Sequence, residues 1–245
     1  MIDSHCHLAD KAFASDLDAV VARAKEAAVE RVLVILEGGN AAEAAQADRI
    51  AALWAETRVS IGVHPHQAHE FAADTRRAAA VVREQIASTP STRAVGEIGL
   101  DYHYDFSPRD VQQTVFRDQV RLARELDLPV VIHTREADDD TIRILKEDGG
   151  GDLRGVLHCF TGGPSLADAA LELGLYVSLA GIITFPKPTV RFWRRRRTAA
   201  DATSRRGSRA CSEPSRSCAA SNVQSWTVAR PRTFTPCSGR DTVPG

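Results

Sequence analysis

The sequence predicts an α/β fold, a TIM (β/α)8 barrel that is incomplete: about seven βα units with the eighth strand missing. Three observations carry this. Short β-branched apolar runs alternate with longer segments of helical period as far as about residue 184, the pattern of repeated βα units on a parallel sheet. The loop after the first run reads His5-Cys6-His7-Leu8, and the chain has no G-x-G-x-x-G or Walker sequence, so the Gly-rich phosphate loop expected of an open doubly wound sheet is missing. Histidines and carboxylates cluster where the runs end, the positions that a barrel brings together at one mouth.

The expected strands, in order, are Met1–His5, Arg31–Leu36, Val59–His64, Ala94–Leu100, Pro129–His133, Gly155–His158 and Leu175–Ile183. Between the first two, Leu17, Val20, Val21 and Ala24 recur at three and four ahead of Ala28, one apolar stripe of a helix. Between the fourth and fifth, Val111, Val115, Val120 and Leu122 do the same before Leu126. Ser107-Pro108 reads as the opening of that helix, an N-cap followed by Pro in the first turn. Asp138, Asp139 and Asp140 stand ahead of Thr141-Ile-Arg-Ile-Leu, where acidic residues complement a helix N-terminus, so a structural role is expected for them.

The 245 residues divide into two unlike parts, which the net charge of -1 conceals. Residues 187–245 hold 13 Lys+Arg, twelve of them Arg, against 3 Asp+Glu, leaving 18 against 29 for residues 1–186. The expected domains are therefore an acidic barrel domain over 1–187 and a disordered or out-of-frame tail over 188–245. Residues 187–245 contain no Leu, Ile or His but eight Ser, seven Thr, five Pro, Trp193, Trp226 and three Cys, and no periodic apolar face runs through them. One base out of frame from Lys187, the genetic code permits Ala/Thr, Asp/Asn, Ser/Gly, a small residue, Leu/Val and Leu, which would read as a helix. Five cysteines with no regular spacing support neither a disulfide framework nor a zinc knuckle. No apolar run approaches the roughly 18 to 20 residues of a membrane span. Met1-Ile-Asp-Ser-His-Cys-His has no basic or apolar leader region, so a cytoplasmic location is expected. Oligomeric state leaves no trace in the sequence.

Strand one ends in His5-x-His7, strand three in His64-Pro65-His66, strand four in Glu97 and Asp101, strand five in His133 and strand six in His158. His5 and His7, two apart on an extended segment, point to one face while Cys6 points to the other, which suits two imidazoles on one cation. Glu97 lies between Gly96 and Gly99 in an apolar strand, where a lone carboxylate is costly to bury without a cation or hydrogen-bond donors. Five ligand-type residues at four strand ends, His5, His7, Glu97, His133 and His158, point to a two-metal site. Imidazoles with one carboxylate suit Zn, Mn or Fe, and Mg enters with more oxygen ligation. His64, His66 and Asp101 are candidates for substrate contact, with a loop-histidine reading equally open for the first two. Cys159 reads as a core residue.

These segments resemble a known family. Asp3-Ser-His-Cys-His-Leu, Gly62-Val-His-Pro-His, Gly96-Glu-Ile-Gly-Leu-Asp-Tyr, Pro129-Val-Val-Ile-His-Thr-Arg, His158-Cys-Phe-Thr-Gly and Gly181-Ile-Ile-Thr-Phe are similar, in order, to the motifs of the TatD family of metal-dependent deoxyribonucleases. The resemblance covers residues 1 to about 187. It implies a TIM barrel of the metallo-dependent hydrolase superfamily, two divalent ions (Mg, Mn or Zn), and hydrolysis of DNA phosphodiester bonds with Glu97 in the catalytic role. It also implies that His5, His7 and Glu97 hold one ion, and that Glu97 as a bridge, His133 and His158 hold the second. The family's strand-eight Glu-Thr-Asp-Ser-Pro motif has no counterpart: Asp201 lies in Ala-Asp-Ala-Thr and Asp241 in Arg-Asp-Thr. Low or absent activity of this chain is therefore expected. Two other readings stand beside the nuclease: a related barrel amidohydrolase or lactonase, against which Glu97 argues by standing where many of those carry a carboxylated Lys, and a non-catalytic truncated product.

Overall fold

A computed structural model describes residues 1–181 and the backbone of 227–229. Strands β1 (Ile2–Cys6), β2 (Arg31–Glu37), β3 (Thr57–Gly62), β4 (Thr92–Asp101), β5 (Val130–Arg135), β6 (Gly155–Leu157) and β7 (Tyr176–Leu179) pair in parallel in chain order. Helices α1 (Leu17–Glu26), α2 (Ala41–Leu53), α3 (Arg76–Ser88), α4 (Arg109–Glu125), α5 (Asp138–Asp148) and α6 (Pro164–Glu172) alternate with them. This is the expected βα repeat, a curled sheet of seven parallel strands in barrel order. Each predicted strand is present, displaced by up to four residues at its ends, where pattern reading is weakest. Ile182 and Ile183, expected to end strand seven, and nearly all of the expected tail lie outside the described residues.

One feature departs from the expected strand count. Thr227–Ala229 form an eighth strand, β8, antiparallel to β7 with Val177 opposite Ala229. A strand does exist within the tail, but its direction excludes it from the βα repeat. A parallel eighth strand would need a crossover, whereas an antiparallel one needs only a returning chain.

The strands are apolar on both faces because the barrel interior covers one and the helices the other. Val34, Leu36, Ile61, Val95, Ile98, Leu100 and Ile132 are all buried in one cluster with Leu17, Val20, Val21 and Ala24 of α1 and Val115, Phe116, Val120 and Ala123 of α4. Asn40 caps α2 by accepting from the amides of Ala42 and Glu43, and Asp138, Asp139 and Asp140 form the acidic first turn of α5. The opening of α4 differs from its expected form by one residue. Pro108, not Ser107, is the cap position, and the Ser107 hydroxyl instead donates to the His66 carbonyl and accepts from the His69 amide. Two backbone groups in the β3–α3 loop outcompete the helix end for this hydroxyl. Among the described residues, no helix is long and apolar enough to cross a membrane.

Candidate metal centre

The carboxyl ends of the strands open on a cavity of about 1020 Å³ lined by His7, Glu37, His64, His66, Glu97, Asp101, His133 and His158 among others. Its floor is set by a close approach of β4 to β5. Gly99 has φ +141, and a Cβ there would stand 1.9 Å from the His133 carbonyl oxygen, so only glycine fits. Two residues back, Glu97 is brought beside the His133 side chain.

Glu97 is 5% exposed and uses its two oxygens on different neighbours. Oε2 faces His5 Nε2 at 3.3 Å and His7 Nε2 at 4.0 Å. Oε1 faces His133 Nδ1 at 3.1 Å, with His64 Nε2 and His158 Nε2 each at 3.9 Å. Burial opposes ionisation of Glu97, but His158, His133 and His5 outweigh it and hold the carboxyl well below the usual carboxylate range. Burial drives His64 and His158 down to about 3, so both are neutral near pH 7 with lone pairs to offer. Burial also opposes charge on His133, yet its contacts to Asp101 and Glu97 prevail and push it up to about 9.

Three donor groups converge: His5, His7 and Glu97; His64, Glu97 and His133; and His66, Asp101 and His133. Donors each about 2.0–2.2 Å from one cation lie roughly 3–3.5 Å from each other. His5 Nε2 and His7 Nε2 are 3.2 Å apart, so the first group fits a divalent ion by spacing as well as by ligand type. In the second group the structure brings in His64, for which the sequence offers only a substrate-contact or loop reading. His158 addresses the same Glu97 oxygen and stacks on His5 with ring centroids 3.4 Å apart and planes 7° apart.

Asp101 is fully buried and its oxygens turn inward. Oδ2 accepts from His66 Nε2 at 2.9 Å and pairs with His133 Nε2 at 3.0 Å, while Oδ1 accepts from the amides of His103 and Tyr104. These partners hold its carboxyl below the ordinary range despite burial. It orients His133 and His66, as a carboxylate behind a metal-ligating imidazole does. On β1, Asp3 Oδ1 accepts from the backbone amide of His5 and fixes the main chain there. Cys159 is half-buried at φ +44, and burial raises its thiol.

Several supporting residues go beyond those the sequence singles out. On α4, Gln119 exchanges two hydrogen bonds with the backbone of Val63, and Gln112 does the same with Asp101 while also donating to the Ser107 carbonyl. The two amides lie two turns apart on one helix face and hold the ends of β3 and β4 in place. A signal for them exists: Gln at seven-residue spacing on the same face as buried Val115 and Phe116. Glu37, ending β2, lines the cavity, and burial together with Glu43 pushes its carboxyl up to about 8.

A family model, TatD related DNase, matches residues 2–200. The chain is 37% identical over 185 residues to the uncharacterized metal-dependent hydrolase YabD of Bacillus subtilis, covering 76% of this chain and 70% of that protein. It is 41% identical over 184 residues to the 3'-5' ssDNA/RNA exonuclease TatD of Erwinia amylovora, covering 75% and 69%. The structure resembles that of YJJV, the TatD homolog of Escherichia coli K12, with a TM-score of 0.63 and 28% identity over 72% of this chain. It spans 66% of that chain, a little under two thirds. Sequence motifs, strand order and these likenesses agree: the chain belongs to the family of TatD-related DNases.

Proposed function

We propose that this protein is a metal-dependent hydrolase that cleaves phosphodiester bonds of nucleic acid, DNA foremost, at a site for two divalent cations. The observation that carries the reading is the division of labour within Glu97, whose Oε2 faces His5 and His7 while Oε1 faces His133 and His64. One buried carboxylate shared by two donor groups suits a two-cation site. His5 and His7 would hold one ion with Glu97, and His133 with His64 or His158 the other. When bound, two such ions supply the Lewis acidity and the lowered water pKa that in-line displacement at phosphorus needs; Mg, Mn and Zn all suit these donors.

The residues themselves do three things. Glu97 stays ionised and keeps negative charge at the cavity floor, neutral His64 and His158 present lone pairs, and Asp101 fixes the ring of His133. The relatives' names, a metal-dependent hydrolase and a 3'-5' ssDNA/RNA exonuclease, support the same reaction class. No Asp of residues 187–245 has the neighbours of the family's strand-eight motif, so the rate is expected to fall well below that of those relatives.

Calorimetric titration with Mn2+, paired with cleavage of an end-labelled single strand, tests the reading. Two ions per chain and cleavage that a chelator abolishes are the expected results. A Glu97→Gln protein that binds both ions and cleaves DNA as the unaltered chain does would overturn it.

A further inference from the structure

The loop between β4 and α4 presents two large aromatic rings to solvent at the rim of the donor cluster. Tyr104 is 47% exposed and Phe106 61%. The rings stack on each other with centroids 5.4 Å apart and planes 12° apart. His66 meets both edge-on, at 5.6 Å and 4.8 Å, and its own ring lies 6.1 Å from that of His133. Tyr104 lines the same cavity as Glu97. The Arg135 guanidinium sits 4.8 Å over the Tyr104 ring and makes no ion pair among the described residues.

The loop is tied down rather than loose. Asp101 Oδ1 accepts from the amides of His103 and Tyr104, the Ser107 hydroxyl donates to the His66 carbonyl, and Arg109 makes two hydrogen bonds to Asp105. Held in this way, the exposed rings form a preorganised surface, which lowers the entropy lost when a ligand lands on it.

We propose that Tyr104 and Phe106 form a stacking shelf for a nucleobase of the strand whose phosphate lies at the donor cluster, with Arg135 offering its charge to a neighbouring phosphate. The proposal rests on the nucleic-acid reading above and adds to it how the substrate is gripped. Every base has a π-face, so such a shelf tolerates any sequence, and it requires unpaired bases because those in a duplex are stacked on one another. The acidic body makes a half-buried Arg with no ion pair among the described residues, seated over one of two exposed rings, the more telling, since charge and stacking coincide at one point.

The test uses the full chain in Mn2+ with a phosphorothioate-linked single strand carrying 2-aminopurine, and with the same strand made abasic. Fluorescence quenching on binding and a weaker affinity for the abasic strand are expected. Tyr104→Ala should weaken binding of the base-bearing strand by roughly 5- to 150-fold and bring it towards the abasic value. Tyr104→Phe, which keeps the ring, should bind within about twofold of the unaltered chain. Equal affinity of the unaltered chain for the two strands would overturn the shelf whatever any variant does. So would a Tyr104→Ala protein that loses self-association in sedimentation while keeping its preference for bases, which would assign the rings to a protein contact. Hydrolysis of bis(p-nitrophenyl) phosphate, a diester with no nucleobase, reports on the hydrolase reading separately. A rate no higher than that of Glu97→Gln, with base-dependent binding intact, would overturn that reading and support the shelf.

Discussion

The two flanks of the sheet are built to different standards. From β1 to β5 the strands run five to ten residues. β2 and β3 pair without a break from Val32 opposite Thr57 to Glu37 opposite Gly62. On the other flank β6 has three residues and β7 four, and they pair only at Val156 with Tyr176 and Leu157 with Val177. Every member of the three converging donor groups comes from β1, β3, β4, β5 or the residues just after them. His158, which follows the short β6, supplies an imidazole from the lightly paired side. The contrast teaches that the site depends on the flank whose backbone is most fully paired, so a defect near β7 need not erase it.

The largest effect belongs to the best-anchored residue. Glu97→Gln should lower Mn2+ affinity at both positions by more than about 100-fold, beyond what loss of an outer hydrogen-bond partner produces. Loss confined to one position in calorimetry would show that the carboxylate is not shared. Next come two histidines from opposite flanks, His133 bonded to two carboxylates and His158 standing 3.9 Å from one. His133→Ala should cost about 100-fold in metal affinity because it touches both Glu97 and Asp101, whereas His158→Ala should cost about tenfold. Equal losses would break the comparison of flanks.

Stability gives a third measure. Ile98 in β4 is completely buried, and Ile98→Ala should cost about 2–5 kcal/mol in urea unfolding. Leu179 in β7 is only partly buried, and Leu179→Ala should cost about 1 kcal/mol. The smallest effect should come from the exposed Arg83–Glu125 pair between α3 and α4, where Arg83→Ala should change stability by less than about 1 kcal/mol. A larger loss there would mean that helix-to-helix ion pairs, and not strand pairing, distinguish the two flanks.

Legibility in the amino-acid sequence follows the same division. Arg31–Leu36 and Ala94–Leu100 are long β-branched or apolar runs, and both are strands within a few residues of their expected ends. His5-x-His7 is legible because a period of two has one meaning on an extended chain. Asp101 is harder: its place at a strand end suggests contact with substrate, while its partners are His66, His133 and two amides of its own loop. Nothing in one sequence says which way a carboxylate at a barrel mouth will face. Ser107 suggests a helix cap because a hydroxyl before Pro suits one, but the competing backbone groups belong to a loop some 40 residues earlier. Thr227–Ala229 carry no strand signal because three residues are too few for any period to show.

The paired glutamines of α4 also bear on how this fold can be altered. Gln112 and Gln119 span seven residues, about 10.5 Å of helix rise, and each reads the main chain at the end of a different strand. The helix thus acts as a gauge that sets the height of His64 against that of Asp101. One residue inserted between the two glutamines would turn the second by about 100° and release the loop that carries His64, whereas the same insertion after Glu125 would leave the gauge intact. Lineages and engineers alike should find the outer end of this helix open to change in length and its first three turns closed to it.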